Sequence, residues 1–409
     1  MKPAPPQHPF GRMGALFCCQ ICQADQCQIL VDLGQQPLAN KYPAPEEIAT
    51  EEFHHLEVFF CPHCKNVQLG QLVSREKMFV DYYYLSSVNQ GLVRHFTALA
   101  ATLAKARLVV DIGSNDGILL KPLKDLGVAA IGVDPSINVS KLANDAGLTT
   151  LTGFFDATMA AGIMEQYGQP EVIVASSIFT HLENPHQCIE DIKSLLADDG
   201  LLIIEVEYIG NILQHVQFER FYFDRIFYYS LTSLSRLCAD HGMDIGDVEM
   251  VEPHGGSLRV KIYKHQPGSQ PSARVTDLLK KEEQAFAKET LATFQQTVDK
   301  NILALQSKLE EYQRLKLRVA GYGAPARVAT ICNYGKIGPE LITFIVDDSP
   351  LKQHRYSPGT HIPIVPKDYL DAHQVDVLVT FAYEYLDDIR KKTKDAYRYL
   401  IPIPPREVA

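Results

Sequence analysis

The sequence predicts an α/β chain built from three parts. Three observations carry that prediction: two C-x2-C pairs within the first 64 residues, a strand–glycine–helix unit starting at Leu108, and a second such unit starting at Leu317. The chain has 409 residues, more than one comfortable domain at about 150 residues each. Boundaries are expected at 1–80, 81–268 and 269–409. Hydrophobic residues at 46% and charged residues at 22% are ordinary globular usage and exclude a disordered or collagen-like chain.

Cys19-Gln20-Ile21-Cys22 and Cys61-Pro62-His63-Cys64 stand 38 residues apart. Two thiolates at this spacing reach one tetrahedral ion from a single tight turn, and two such knuckles close a four-thiolate shell around zinc. A closed shell has no position for water, so the expected role is structural. So small a domain has little core, and the metal would supply much of its folding free energy. A redox dithiol is the alternative. Cys18 would lengthen the spacer to three residues and is left out, while Cys27 lies close by. Cys188, Cys238 and Cys332 are isolated and expected in the core. Residues 29–34 and 56–60 read as strands, and 36–40 as a turn.

In the central part, 108–112 is an apolar strand running into Gly113-Ser114-Asn115-Asp116-Gly117, and a helix begins near 118. Asn115 stands where a G-x-G loop would have its second glycine. About 20 residues on, 129–136 is a strand ending in Asp134-Pro135, and a carboxylate at that tip accepts hydrogen bonds from ribose hydroxyls in dinucleotide folds. Gly153-Phe154-Phe155-Asp156 falls where an adenine-contacting loop belongs. Strands at 172–177 and 201–207 complete a doubly wound sheet, whose ligands sit at the carboxyl ends of its strands. The loop is similar to the first motif of Rossmann-like methyltransferases, which bind S-adenosylmethionine. A nicotinamide dehydrogenase would want G-x-G-x-x-G, and only Gly113 and Gly117 are present.

Residues 270–317 are charged and helix-patterned and read as a linker helix pair with its charges on a solvated face. Gly321-Tyr322-Gly323-Ala324-Pro325-Ala326-Arg327 then follows a strand, and its backbone N–H groups would cradle a phosphate with Arg327 as counter-charge. The strand at 344–348 ends in acid, and Lys352, His354 and Arg355 add local positive charge. Either a nucleotide-sugar site or a purely structural Rossmann repeat fits this pattern. Substrate contact is the preferred reading.

These motifs, taken in order from about Cys19 to Pro405, resemble the three-domain C-methyltransferases of deoxysugar biosynthesis, which act on nucleotide-linked keto sugars. The paired knuckles, Leu33-Gly34-Gln35-Gln36-Pro37-Leu38, Asp111 to Gly117, His254-Gly255-Gly256, Gly321-Tyr322-Gly323-Ala324 and Pro358-Gly359-Thr360-His361-Ile362-Pro363 carry the resemblance. It implies a zinc domain, a central S-adenosylmethionine domain and a C-terminal Rossmann-like domain, with the active site between the last two. The methyl donor would then be held by Asp111, Gly113, Asn115, Asp116, Gly117, Asp134, Pro135, Phe155 and Asp156. Tyr82 or Tyr84, with Ser87, would lie near it, and Ser177 to His181 would face the reacting sugar. Glu207, His254, Gly323, Arg327 and Lys352 are the candidate substrate contacts.

One departure matters. The family's Tyr-x-Glu-His run, whose histidine is the expected base, reads Tyr222-Phe223-Asp224-Arg225 here. A guanidinium has no acceptor and a pKa above about 12, so Arg225 cannot take a proton. Methylating carbon requires a base for a proton beside a ketone and a partner for the enolate oxygen. The preferred reading gives the proton to His181, Tyr222, Glu207 or His254, with Arg225 as the enolate's partner. Alternatively Arg225 binds a carboxylate or phosphate during O- or N-methylation, or the chain is a catalytically weakened relative.

The net charge of −10 argues against nucleic acid as a partner, since phosphates demand a basic face. No apolar run approaches the roughly 18 residues needed to cross a bilayer, and the first six residues lack the apolar core of a secretory leader. The expected location is cytoplasmic. The oligomeric state is left open, a monomer included.

Overall fold

The computed structural model describes residues 17–74, 78, 85–286 and 291–408, with the side chain of His254 left aside. Tyr82 and Tyr84 lie outside the described residues. The N-terminal part contains β1 (Gln28–Pro37), β2 (Phe53–Phe60) and β3 (Val67–Leu69), joined in antiparallel order. β1 runs through Gln36 and Pro37, so the expected turn is confined to its end: the cross-strand pairs Gln36–His54 and Pro37–Phe53 hold those residues extended.

The central sheet contains β4 (Leu108–Ile112), β5 (Ala129–Asp134), β6 (Thr150–Thr152), β7 (Val172–Ser176) and β8 (Leu201–Glu207), all parallel. β4 and β7 are buried almost throughout because helices cover both faces, hence their richness in Val and Ile, broken in β4 only by Asp111. Next comes β9 (Phe227–Tyr228), which leaves this sheet and pairs antiparallel with β3 as the fourth strand of the N-terminal sheet. β10 (Met243–Val251) and β11 (Ser257–Lys264) then add antiparallel beside β8, giving the order β10-β11-β8-β7-β4-β5-β6.

Two helices, Ala273–Ala285 and Phe294–Arg314, follow. The second buries Phe294, Val298, Ile302, Leu305, Leu309 and Tyr312, a stripe at three- and four-residue intervals. That stripe belongs to one continuous core shared by the N-terminal sheet and the C-terminal sheet. Not every charge of this pair is solvated. Glu282 is fully buried and accepts from the Leu231 and Thr232 amides at 2.7 and 2.8 Å, satisfying the start of helix Leu231–Asp240.

The C-terminal sheet contains β12 (Val319–Tyr322), β13 (Ile345–Val346), β14 (Ile364–Val365), β15 (Val377–Thr380), β16 (Arg398–Ile401) and β17 (Arg406–Val408) in the order β14-β13-β12-β15-β16-β17. All but β17 are parallel. No described helix is long and apolar enough to cross a membrane.

Candidate active site

In an open parallel sheet a crevice forms where two neighbouring strands send their connections to opposite sides. The central sheet has this point between β4 and β7, and the C-terminal sheet has it between β12 and β15. The two points open into one cavity of about 370 Å3. The loops after β4, β5 and β7 line it on one side, and Pro325, Ala326, Arg327, Lys352, Glu384 and Tyr385 line it on the other. Asn40 reaches it from the N-terminal domain.

The loop after β4 has positive φ at Gly113 (77°), Asn115 (48°) and Gly117 (83°). Asparagine tolerates the left-handed region better than most residues, which explains how Asn115 fills a glycine's place. A Cβ on Gly113 would lie 2.2 Å from the Ile178 side chain, so the loops after β4 and β7 touch through that gap. Asp134 accepts from the Asn115 amide and from the Ser136 amide, both at 2.9 Å. Asp347 repeats the arrangement in the C-terminal domain, accepting from the Ala324 amide at 2.6 Å and the Ser349 amide at 2.8 Å.

That repeat corrects the expected phosphate cradle. The Gly323 amide donates to Val346 and the Ala324 amide to Asp347, and Pro325 has no N–H. The first positions of the cradle are filled from within the protein. Arg327 pairs with Glu384 at 2.8 Å and lies 4.5 Å from the centre of the Tyr383 ring. Lys352, held down by burial although Asp347 opposes this, donates to the Ala324 carbonyl at 2.9 Å.

At the end of β7, Ser177 has φ 62° and starts the turn Phe179–His181. The Asp224 carbonyl accepts from His181 Nδ1, which leaves Nε2 as the unprotonated nitrogen of the neutral ring. Burial, reinforced by the Arg225 charge, pushes His181 down to about 4. Burial pushes the Asp224 carboxyl up to about 6, although Asn40 donates to it at 2.6 Å. Asp111 is held well above the usual carboxylate range by burial and by Asp134 and Glu205 nearby.

Along the cavity wall runs a chain of ion pairs, buried at Glu207, Arg220 and Arg225 and more open at Glu384. Glu207 accepts from Arg220 on one oxygen and forms an ion pair with Arg225 through the other. Glu384 accepts from Arg220 on one oxygen and Arg327 on the other. Glu207 is therefore committed to two guanidiniums and does not line the cavity, which removes it as a base or direct substrate contact.

The cavity brings together Asp111, Gly113, Asn115, Asp134, Pro135, Phe155 and Ser177 with His181, Tyr222, Arg225, Arg327 and Lys352. Other expected residues stand back from it. Asp116 accepts from Ser87 on one oxygen, through the amide at 3.1 Å and the hydroxyl at 2.6 Å, so that oxygen holds a turn. Gly117 packs toward Leu148, Gly323 toward Ala382, and Asp156 caps helix Ala157–Tyr167 through the Met159 amide. Asp224 acts through its carbonyl. His254 falls in the turn Pro253–Gly255. Sequence reasoning missed Asn40, Glu205, Glu219, Arg220 and Glu384, all lining the cavity. Of these, Glu205 could have been found, as the acid near the end of a strand already identified.

Cys19, Cys22, Cys61 and Cys64 bring their sulfurs within 4.8 Å of one another. The Cys19–Cys64 and Cys22–Cys61 separations are both 3.6 Å. A tetrahedron with zinc–sulfur bonds of about 2.3 Å has edges of about 3.8 Å, so the donor set fits zinc.

Comparison with known proteins covers the same three parts. Residues 19–79 match a zinc binding domain family, 84–247 a methyltransferase domain family and 252–404 the C-methyltransferase C-terminal domain family. The C-methyltransferase NovU of Streptomyces niveus is 28% identical over 405 residues, covering 96% of each chain. The chain is an S-adenosylmethionine-dependent methyltransferase, similar along nearly its whole length to a C-methyltransferase with a zinc binding domain at the front. A ubiquinone biosynthesis O-methyltransferase of Glaesserella parasuis is 28% identical over 102 residues, 24% of this chain and 43% of its own. Among solved structures, magnesium protoporphyrin IX methyltransferase of Synechocystis covers 42% of this chain and 83% of its own at 18% identity, with a TM-score of 0.34.

Proposed function

We propose that this methyltransferase moves a methyl group from S-adenosylmethionine to a carbon beside the ketone of a nucleotide-linked keto-deoxysugar, through an enolate. The observation that carries the reading is the pairing of a neutral, tautomer-fixed His181 with the Arg225 cation on one cavity wall. When bound, the donor supplies an electrophilic methyl on a sulfonium. Asn115, Asp134 and Phe155 line the part of the cavity suited to its nucleoside, and Asp111 faces a cation well, because a positive group would favour its ionised form.

His181 Nε2 takes the proton from the carbon next to the ketone. Arg225 holds the charge that develops on the enolate oxygen. Burial and the Arg225 charge both weaken His181 as a base in the resting site. As negative charge grows beside Arg225 it offsets that field, and the proton affinity of Nε2 rises as transfer occurs. Tyr222, whose ring lies 5.2 Å from the Arg225 guanidinium, orients the sugar between them. Arg327 and Lys352 provide positive charge toward the nucleotide. The same reading implies a cytoplasmic enzyme with no nucleic-acid or membrane partner, in keeping with the net charge of −10.

The test is proton exchange without methyl transfer. In D2O, with the demethylated donor bound, the enzyme should wash deuterium into the carbon beside the ketone of a keto-sugar nucleotide. His181→Ala should abolish the exchange. Methyl-labelled donor should then transfer its label to the same carbon. No exchange and no transfer across a panel of keto-sugar nucleotides would sink the reading.

A further inference from the structure

We propose that Glu384 is a positioning residue: through Arg220 and Glu207 it sets the orientation of Arg225, so the reacting centre is complete only when the C-terminal domain is docked. The proposal rests on the functional reading only in assigning Arg225 to that centre.

Arg220 is the middle link. Its Nη1 donates to Glu207 and its Nη2 to Glu384, so one planar guanidinium joins the end of β8 to the loop after β15. Glu207 spends its other oxygen on Arg225, and Glu384 its other oxygen on Arg327. The Glu207 and Arg220 side chains are 3% and 5% exposed, so bulk salt does not screen their link. Because each guanidinium fork is rigid and each carboxylate has two oxygens, turning one member turns the next. The Arg220 segment is gripped a second time. Tyr383 donates its hydroxyl to Glu219 at 2.6 Å, while Arg327 lies over the Tyr383 ring.

An independent observation comes from Gly255, in the His254-Gly255-Gly256 motif. Its φ is 75°, and a Cβ there would lie 2.3 Å from Arg220 Nη2 and 3.1 Å from a Glu384 oxygen. The missing side chain leaves room for the Arg220–Glu384 contact.

The test uses the full zinc-bound chain with Glu384→Gln, which keeps shape and removes charge. A displacement of about 1 Å at a reacting centre costs on the order of 100-fold. We therefore expect kcat to fall about 10- to 100-fold with KM for the sugar little changed, and donor affinity within about twofold of wild type. The side-chain 15N resonances of Arg225, assigned by their loss in Arg225→Lys, should shift and lose the hindered rotation of an ion pair. Gly255→Ala, which crowds the contact and removes no charge, should move the same resonances. If Arg220 and Arg327 signals change while Arg225 stays still, or if the loss falls wholly in KM, Glu384 is a simple clamp and the proposal is wrong. Should the wild type methylate no keto sugar, the substrate reading fails, and the Arg225 resonances still decide the relay.

Discussion

Between pH 6.5 and 4 the wild-type protein should lose about 3 kcal/mol of stability that a His181→Asn variant keeps. Burial and the Arg225 charge lower the imidazole from 6.5 to about 4 in the folded chain. At about 1.36 kcal/mol per pH unit, the interval amounts to about 3 kcal/mol. The sign follows from proton binding. The unfolded chain takes up the His181 proton first as pH falls, so the stabilisation is complete above 6.5 and drains away toward 4. Asp224 works in reverse, since burial raises it from 3.8 to about 6 and the folded chain binds that proton first. Both proteins carry Asp224, so the comparison cancels it. Urea unfolding at pH 7, 5.5 and 4.5 measures the difference, and the ring carbon shifts of His181 give its midpoint and tautomer directly. A midpoint near 6.5 in the folded protein, or parallel loss in both proteins, would refute the reasoning.

Three further outcomes are expected. Gly113→Ala places a methyl at φ 77° and 2.2 Å from Ile178, adding about 1–2 kcal/mol of backbone strain; calorimetry should show donor affinity at least tenfold weaker, and an unchanged affinity would remove the loop from the donor site. Glu207→Gln leaves Arg220 and Arg225 buried without a carboxylate between them and should cost about 3–5 kcal/mol, read as a fall in urea midpoint; a change below about 1 kcal/mol would mean the two guanidiniums are hydrated. Elemental analysis should find one zinc per chain, lost in Cys61→Ser together with methyl transfer, because the knuckle holds β3 and β3 holds the strand next to Arg225; a metal-free protein with full activity would contradict this.

Three strands of the central sheet, read at 108–112, 172–177 and 201–207, were legible because they are buried on both faces and so are mostly apolar, whereas the short parallel strands at 150–152, 364–365, 377–380 and 398–401 were not read. Asn115 was legible as a glycine substitute because few other side chains suit its backbone. The zinc shell followed from spacing alone. What escaped the sequence depends on contacts between distant residues. Arg220 and Glu384 are 164 positions apart, in short turns that follow strands of different sheets, and no local pattern announces their meeting. The hydrogen bonds from Asp116 to Ser87 were not legible either, because a loop so rich in polar groups also satisfies its own neighbours, and those neighbours come from a turn 29 positions earlier. Glu207 looked available until its two arginine partners came into view.

β9 lies two residues beyond Arg225, and its partner β3 comes directly after the second zinc knuckle. On the other flank of the segment, the Ile226 amide donates to the Thr180 carbonyl at 2.7 Å, one residue before His181. A chain trimmed to start at residue 81 would therefore strand these residues without the edge they fold against. The metal domain cannot be treated as a detachable appendage by anyone wishing to shorten this enzyme or exchange its front end with that of a relative.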